Sequence, residues 1–123
     1  MRRDDIVGAW QLEEFRLIDA EGKVARPWGK GSQGLILYTP DGYMSAAVKT
    51  EDRNGTSFLN YCGPFELGED RVVHHIQLSS DPKLVGSDQV RRPRMDGRNL
   101  ILSSSPSLYG GPGTKAELVW RRA

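Results

Sequence analysis

Two adjacent histidines, His74 and His75, sit in Val72-Val73-His74-His75-Ile76-Gln77-Leu78, and the chain has no others. An imidazole titrates near neutral pH, so it can act as general acid, general base or metal ligand. In an extended segment, neighbouring side chains point to opposite faces. His74 then shares a side with Val72, Ile76 and Leu78, and His75 with Val73, Gln77 and Ser79. The pair cannot chelate one ion, so no metal site is expected. The single cysteine, Cys62, excludes an intrachain disulfide and a thiolate zinc site. A histidine among apolar neighbours also fits a hydrogen-bonded core position.

Arg91, Arg92, Arg94 and Arg98 form a local basic cluster. Alternation puts Arg91 with Gln89, opposite Arg92 and Arg94, which read as a solvated face. If the Gln89 side is interior, Arg91 is a buried cation. It then needs a carboxylate partner, an anionic ligand or a polarised carbonyl. Glu14 and Glu66 are candidate partners from neighbouring parts of the wall. His74, His75, Arg91 and Glu14 are the candidate catalytic groups. Tyr38, Tyr61, Phe65, Trp28 and Tyr109 could supply apolar bodies with polar tips around a pocket, or simply form core.

Gly29-Lys30-Gly31-Ser32-Gln33-Gly34 spells a dinucleotide fingerprint. That motif works between a strand and a helix, where the pyrophosphate meets the helix N-terminus. Here Arg26-Pro27-Trp28 precedes it and the apolar run Leu35-Ile36-Leu37-Tyr38 follows, so a bending loop is expected instead. No Ser-His-Asp order, paired-carboxylate site or phosphate loop stands out, and no cofactor is expected.

The elements that must hold these residues are short. Turn signals recur at 19–22, 40–42, 52–55, 68–70, 81–82, 96–97 and 110–113, among 14 glycines and 7 prolines. Between them lie candidate strands at 9–18, 33–39, 43–49, 60–66, 71–79, 87–94, 99–104 and 115–122. Asp41-Gly42 and Asp96-Gly97 are the sharpest hairpin signals, because tight hairpins need positive φ. Asp4 or Asp5 can cap one helical turn holding Ile6 and Val7, and Gly8 would cost a longer helix about 1 kcal/mol. The expectation is an all-β fold: a single antiparallel closed barrel of about eight strands spanning 1–123, after a short N-terminal helical turn. A barrel of that size holds packed side chains or one small ligand.

The chain has 123 residues, 17 basic against 16 acidic side chains and a net charge of +1. That balance lacks the basic excess of a general nucleic-acid binder. Folding should bury roughly two thirds of the surface, enough for a core without staples. The charged start lacks a following apolar run, and no stretch approaches the ~20 apolar residues of a membrane span. A cytoplasmic protein without a membrane partner is expected. A homodimer is compatible with so small a barrel, though no interface stripe stands out.

Gly8-Ala9-Trp10 near the start and Leu118-Val119-Trp120-Arg121-Arg122 near the end resemble the calycin arrangement. There a first-strand tryptophan packs near a last-strand arginine and plugs one end of the barrel. More closely, the chain resembles the bacterial and fungal lipocalin-like domain family. The matching stretches are Gly34 to Ala46, Tyr61-Cys62-Gly63-Pro64-Phe65, Val73-His74-His75-Ile76, Val85 to Arg91 and Leu100-Ile101-Leu102-Ser103. The resemblance implies an eight- to ten-stranded barrel with a small cavity. It implies closing roles for Gly8, Trp10, Trp120 and Arg122, and cavity positions for His74, His75, Gln89 and Arg91. Two departures stand out: Leu84 occupies a position where the family commonly has tryptophan, and Pro93 follows Arg92, which suggests an edge or bulge.

Three functions use these residues. The first is binding of a small, largely apolar metabolite, with Tyr38, Tyr61, Phe65, Trp28, a histidine, Gln89 and Arg91 around it. The second is a cofactor-independent isomerase, cyclase or dehydratase. In it a histidine is the acid or base, and Arg91 with Tyr38 or Tyr61 stabilises an oxyanion. The third is a filled barrel with a structural or interaction role. The sequence leaves open whether the protein is an enzyme.

Overall fold

The computed structural model describes residues 1–28, 32–52, 55–104 and 113–123. A helical turn, α1 (Arg3–Ile6), leads into β1 (Gly8–Ile18), a two-residue β2 (Val24–Ala25), β3 (Gln33–Tyr38), β4 (Tyr43–Asp52) and β5 (Gly55–Leu67). Then follow β6 (Val72–His75), β7 (Leu78–Ser79), a 3₁₀ turn at Pro82–Leu84, β8 (Asp88–Asp96), β9 (Asn99–Ser104) and β10 (Lys115–Arg122). Antiparallel pairing runs β1-β3-β4-β5-β6-β8-β9-β10 and returns from β10 to β1, which closes an eight-stranded barrel. The short β2 and β7 lie beside β1 and β5. Among the described residues, no helix is long and apolar enough to cross a membrane.

Period-two alternation decides which side chains enter. In β3, Ile36 and Tyr38 are buried while Leu35 and Leu37 face out, and in β6 Val72 and His74 are buried. β9 and β10 break the pattern, because Leu100, Ile101, Leu102 and Ser103 are all buried, as are Glu117, Val119 and Trp120. Their outer face has its own cover. Glu117 is in register with Arg16 on β1 and Ser103 on β9, and Ser103 in turn with Arg92 on β8, so all four point outward. The carboxylate of Glu117 receives Arg16 at 2.9 Å, and Arg94 and Lys115 at 3.2 Å each. Arg16 reaches on to Glu14 at 2.9 Å. The aliphatic stems of such long cations shield apolar surface while their heads stay wet.

At one end of the barrel, α1, Trp10 and Arg122 pack together. Trp10 is fully buried, its indole N–H donates to the Ile6 carbonyl at 2.8 Å, and the Arg122 guanidinium lies 4.1 Å over its ring. Arg122 also donates to the carbonyls of Val7 (2.6 Å) and Asp5 (3.0 Å), tying α1 across the opening. Gly8 has φ +127°, and a Cβ there would strike the Arg122 guanidinium. The glycine therefore serves both the turn into β1 and the arginine's approach.

Several boundaries differ from those read off the sequence. The β4–β5 hairpin keeps register from Tyr43↔Pro64 to Asp52↔Gly55, well beyond 43–49 and 60–66. Its outer residues are polar but pair across the strands, as in the 2.7 Å contact between the Thr50 and Ser57 hydroxyls. The expected strand 71–79 is two strands. β6 pairs with β5 only at Phe65–Leu67, because Pro64 has no N–H to extend the ladder. β7 resumes at Tyr61–Cys62. The helical turn ends at Ile6, and Asp5 stabilises it by accepting the Arg2 backbone N–H at 2.8 Å. Pro93 is flanked by β9 but lies past the last β6 pair, Val72↔Arg91. Residues 29–31 of the glycine-rich stretch, 53–54 of the expected turn at 52–55 and Tyr109 lie outside the described residues.

Candidate functional site

Inside the barrel is a cavity of about 340 Å³. Ile36, Val48, Leu59, Leu102 and Leu118 supply its aliphatic walls, with Trp28 and Trp120 as aromatic ones. Phe58, 61% exposed, marks the rim, whereas His74 and Trp120 are buried on the inner wall. Strand alternation explains the set. Ile36, Ala46 and Tyr61 are register partners across β3, β4 and β5, as are Val48 and Leu59, so they share one inward face. Trp28 comes from the segment before β3 and stacks on Phe15 with centroids 3.9 Å apart. A wider hollow of about 640 Å³ lies outside β3 and β4, around Gly34, Leu35, Ala47 and Lys49, and touches none of the buried polar groups.

The polar side of the cavity is a chain of three rings. The Tyr38 hydroxyl lies 2.7 Å from His74 Nε2, and the Tyr61 hydroxyl 3.0 Å from Nδ1. Burial drives the His74 pKa down to about 3, helped by the positive charges of Arg91 and His75. The imidazole is therefore neutral at physiological pH. Burial pushes the Tyr38 phenol well above its usual value, with Tyr61 adding to the rise and Arg91 opposing it. That phenol keeps its proton, and Nε2 is its hydrogen-bonding partner among the described residues. Tyr38 thus donates to Nε2, and His74 carries its own proton on Nδ1, donating to Tyr61.

Arg91 stands next to this chain on the cavity wall. One guanidinium nitrogen donates to Gln89 Oε1 at 3.1 Å and another to the Val90 carbonyl at 2.9 Å. The side shared by Gln89 and Arg91 is the inner one, with Gln89 holding the guanidinium rather than lining the cavity. Neither expected carboxylate reaches Arg91. Glu14 is taken by Arg16 and by Arg26 at 3.3 Å, outside the barrel. Glu66 points outward and lies 3.6 Å from His75.

His74 and His75 face opposite ways, and only His74 meets the cavity. His75 is 34% exposed and hydrogen-bonded to Asp88 at 2.7 Å, which raises its pKa against the opposing effect of burial. Tyr38 lies behind His74, and Phe65 lies in the core, edge-on to Tyr38 at 4.9 Å. Trp120 is displaced from its expected closing role. It pairs with Leu12, two residues inward of Trp10↔Arg122, and so forms cavity wall. Its indole N–H has no hydrogen-bond acceptor among the described residues. Sequence reasoning did not single out Ile36, Leu102 and Leu118 as cavity residues. Stepping by two from Tyr38 and Trp120 would have found Ile36 and Leu118. Among the described residues, no group of histidines, cysteines and carboxylates could hold a metal ion.

The profile of the lipocalin-like domain family matches residues 7–60 and 53–123. The fold is similar to the crystal structure of a lipocalin-like protein from Bacteroides uniformis. The TM-score is 0.55 and the identity 16%, over 97% of this chain and 99% of that one. The chain has no match among curated proteins.

Proposed function

Since the chain belongs to the lipocalin-like domain family, we propose that it binds a small, largely apolar molecule within its barrel. The observation that carries this reading is the hollow itself. About 340 Å³ is walled by aliphatic and aromatic side chains and bordered on one side by Tyr61, His74 and Arg91. Binding sites have this character, an apolar body with a few placed polar groups that fix orientation. The volume equals the share of about eleven waters in the liquid. That suits a molecule of about 10–15 non-hydrogen atoms.

An isomerase, cyclase or dehydratase working through a histidine finds less support. His74 is a weak base with both ring nitrogens engaged by tyrosines, and His75 lies outside the cavity. A filled barrel is at odds with the open volume.

The test is a titration with the neutral dye 1-aminoanthracene, which has 15 non-hydrogen atoms, comparing the wild type with Ala46→Phe. Ala46 faces the cavity between Ile36 and Tyr61. The wild type should show saturable blue-shifted emission. The variant, folded by circular dichroism, should bind at least about tenfold more weakly. Equal emission from both would place the dye elsewhere and defeat the reading.

A further inference from the structure

We infer that the guest is an acid, an apolar carboxylate whose head group is held by the Arg91 guanidinium. The inference rests on the binding reading above and narrows its ligand class.

The cavity wall offers donors and a positive charge but no acid. Among the described residues, none that lines it is Asp or Glu. Arg91 has five N–H donors, and the structure uses two of them, on Gln89 and on the Val90 carbonyl. Both acceptors are neutral, so they orient the guanidinium without balancing its charge. Among the described residues, no carboxylate pairs with Arg91. The contrast with the outer wall is informative. There the chain surrounds the buried Glu117 with three cations, whereas inside it leaves a half-buried cation without a counter-ion. A cation held against an apolar wall is stabilised by an anionic partner, and an acidic guest would supply one. Trp120 adds to the imbalance, being a wall residue whose N–H has no acceptor among the described residues.

The charge count selects within the anions. His74 stays neutral between its two tyrosines, so among the described residues the cavity presents one cation. A carboxylate brings one negative charge and two oxygens that match the guanidinium fork. A phosphate monoester brings nearly two charges at neutral pH and would leave one unbalanced. The aliphatic and tryptophan walls then take an alkyl or aromatic body.

The experiment uses matched pairs at pH 7.5: decanoate with 1-decanol, and 2-naphthoate with 2-naphthylmethanol. Affinities are read by tryptophan fluorescence and calorimetry on wild type, Arg91→Met and Arg91→Lys, each checked for folding. In the wild type, the acid of at least one pair should bind about tenfold or more tighter than its alcohol. Arg91→Met should erase that preference by weakening the acid about tenfold or more, and Arg91→Lys should retain part of it. If no acid outbinds its alcohol, or if the preference survives in Arg91→Met, the inference is wrong while cavity binding stands. If neither the four compounds nor 1-aminoanthracene binds, the binding reading fails and the inference with it.

Discussion

His74 shows how one residue sets a property of the entire chain. Its pKa falls from 6.5 to about 3 on folding because the barrel interior penalises the cation. Between those values the unfolded chain takes up a proton that the folded chain refuses, so stability falls as pH falls through that window. From pH 7 to pH 5 the loss from this residue is about 2 kcal/mol. Urea unfolding at the two pH values should show it, and His74→Gln should flatten the difference. His75 works in the opposite direction. Its pKa is raised by the hydrogen bond to Asp88, with burial opposing and the charges of Asp88 and Glu66 assisting. Its stabilisation is complete below about pH 6.5 and fades as pH rises through the higher folded value. His75→Ala should therefore steepen the acid-side drop. The histidines could be assigned to opposite faces from alternation alone. Which face was interior, and that two distant tyrosines would clamp one ring, could not.

At the scale of elements, Gly63 and the outer charge cluster matter most. A Cβ on Gly63 would overlap the His75 carbonyl oxygen where β6 leaves β5. Gly63→Ala should force the strands apart, with a loss of about 3 kcal/mol or more in chemical unfolding. The inward set of His74 should be disturbed with it, and the pH dependence should shrink. Glu117 ties β1, β8 and β10 together through Arg16, Arg94 and Lys115. Burial works against its ionisation, but hydrogen bonds from Arg16 and Lys115 and the charges of Lys115 and Arg94 outweigh that and lower its pKa. Glu117→Gln would leave three cations facing one another and should cost about 3 kcal/mol. High salt should recover part of it, because the cations are partly exposed. Where α1 meets β1 and β10, Trp10→Ala removes a fully buried indole and should cost about 3–5 kcal/mol by thermal or urea unfolding. Turn residues and period-two patterning made most strands legible. The split of 71–79 was missed because its cause, Pro64 and Gly63, lies on the partner strand.

For the whole molecule, closure is the decisive fact, since pairing of β1 with β10 leaves neither as a free edge and encloses the hollow. The sequence by itself determined the all-β class, the ring of eight strands, the opposite facing of the histidines and the grouping of Gln89 with Arg91. Those follow from local rules: turn chemistry, alternation, and the resemblance carried by ordered short motifs. Tertiary structure alone decided that no carboxylate among the described residues pairs with Arg91, that Trp120 walls the cavity, and that Arg16 meets Glu117. Each depends on register between strands distant in sequence. A one-residue slip would exchange the two faces of a strand, and only the closed ring fixes the register.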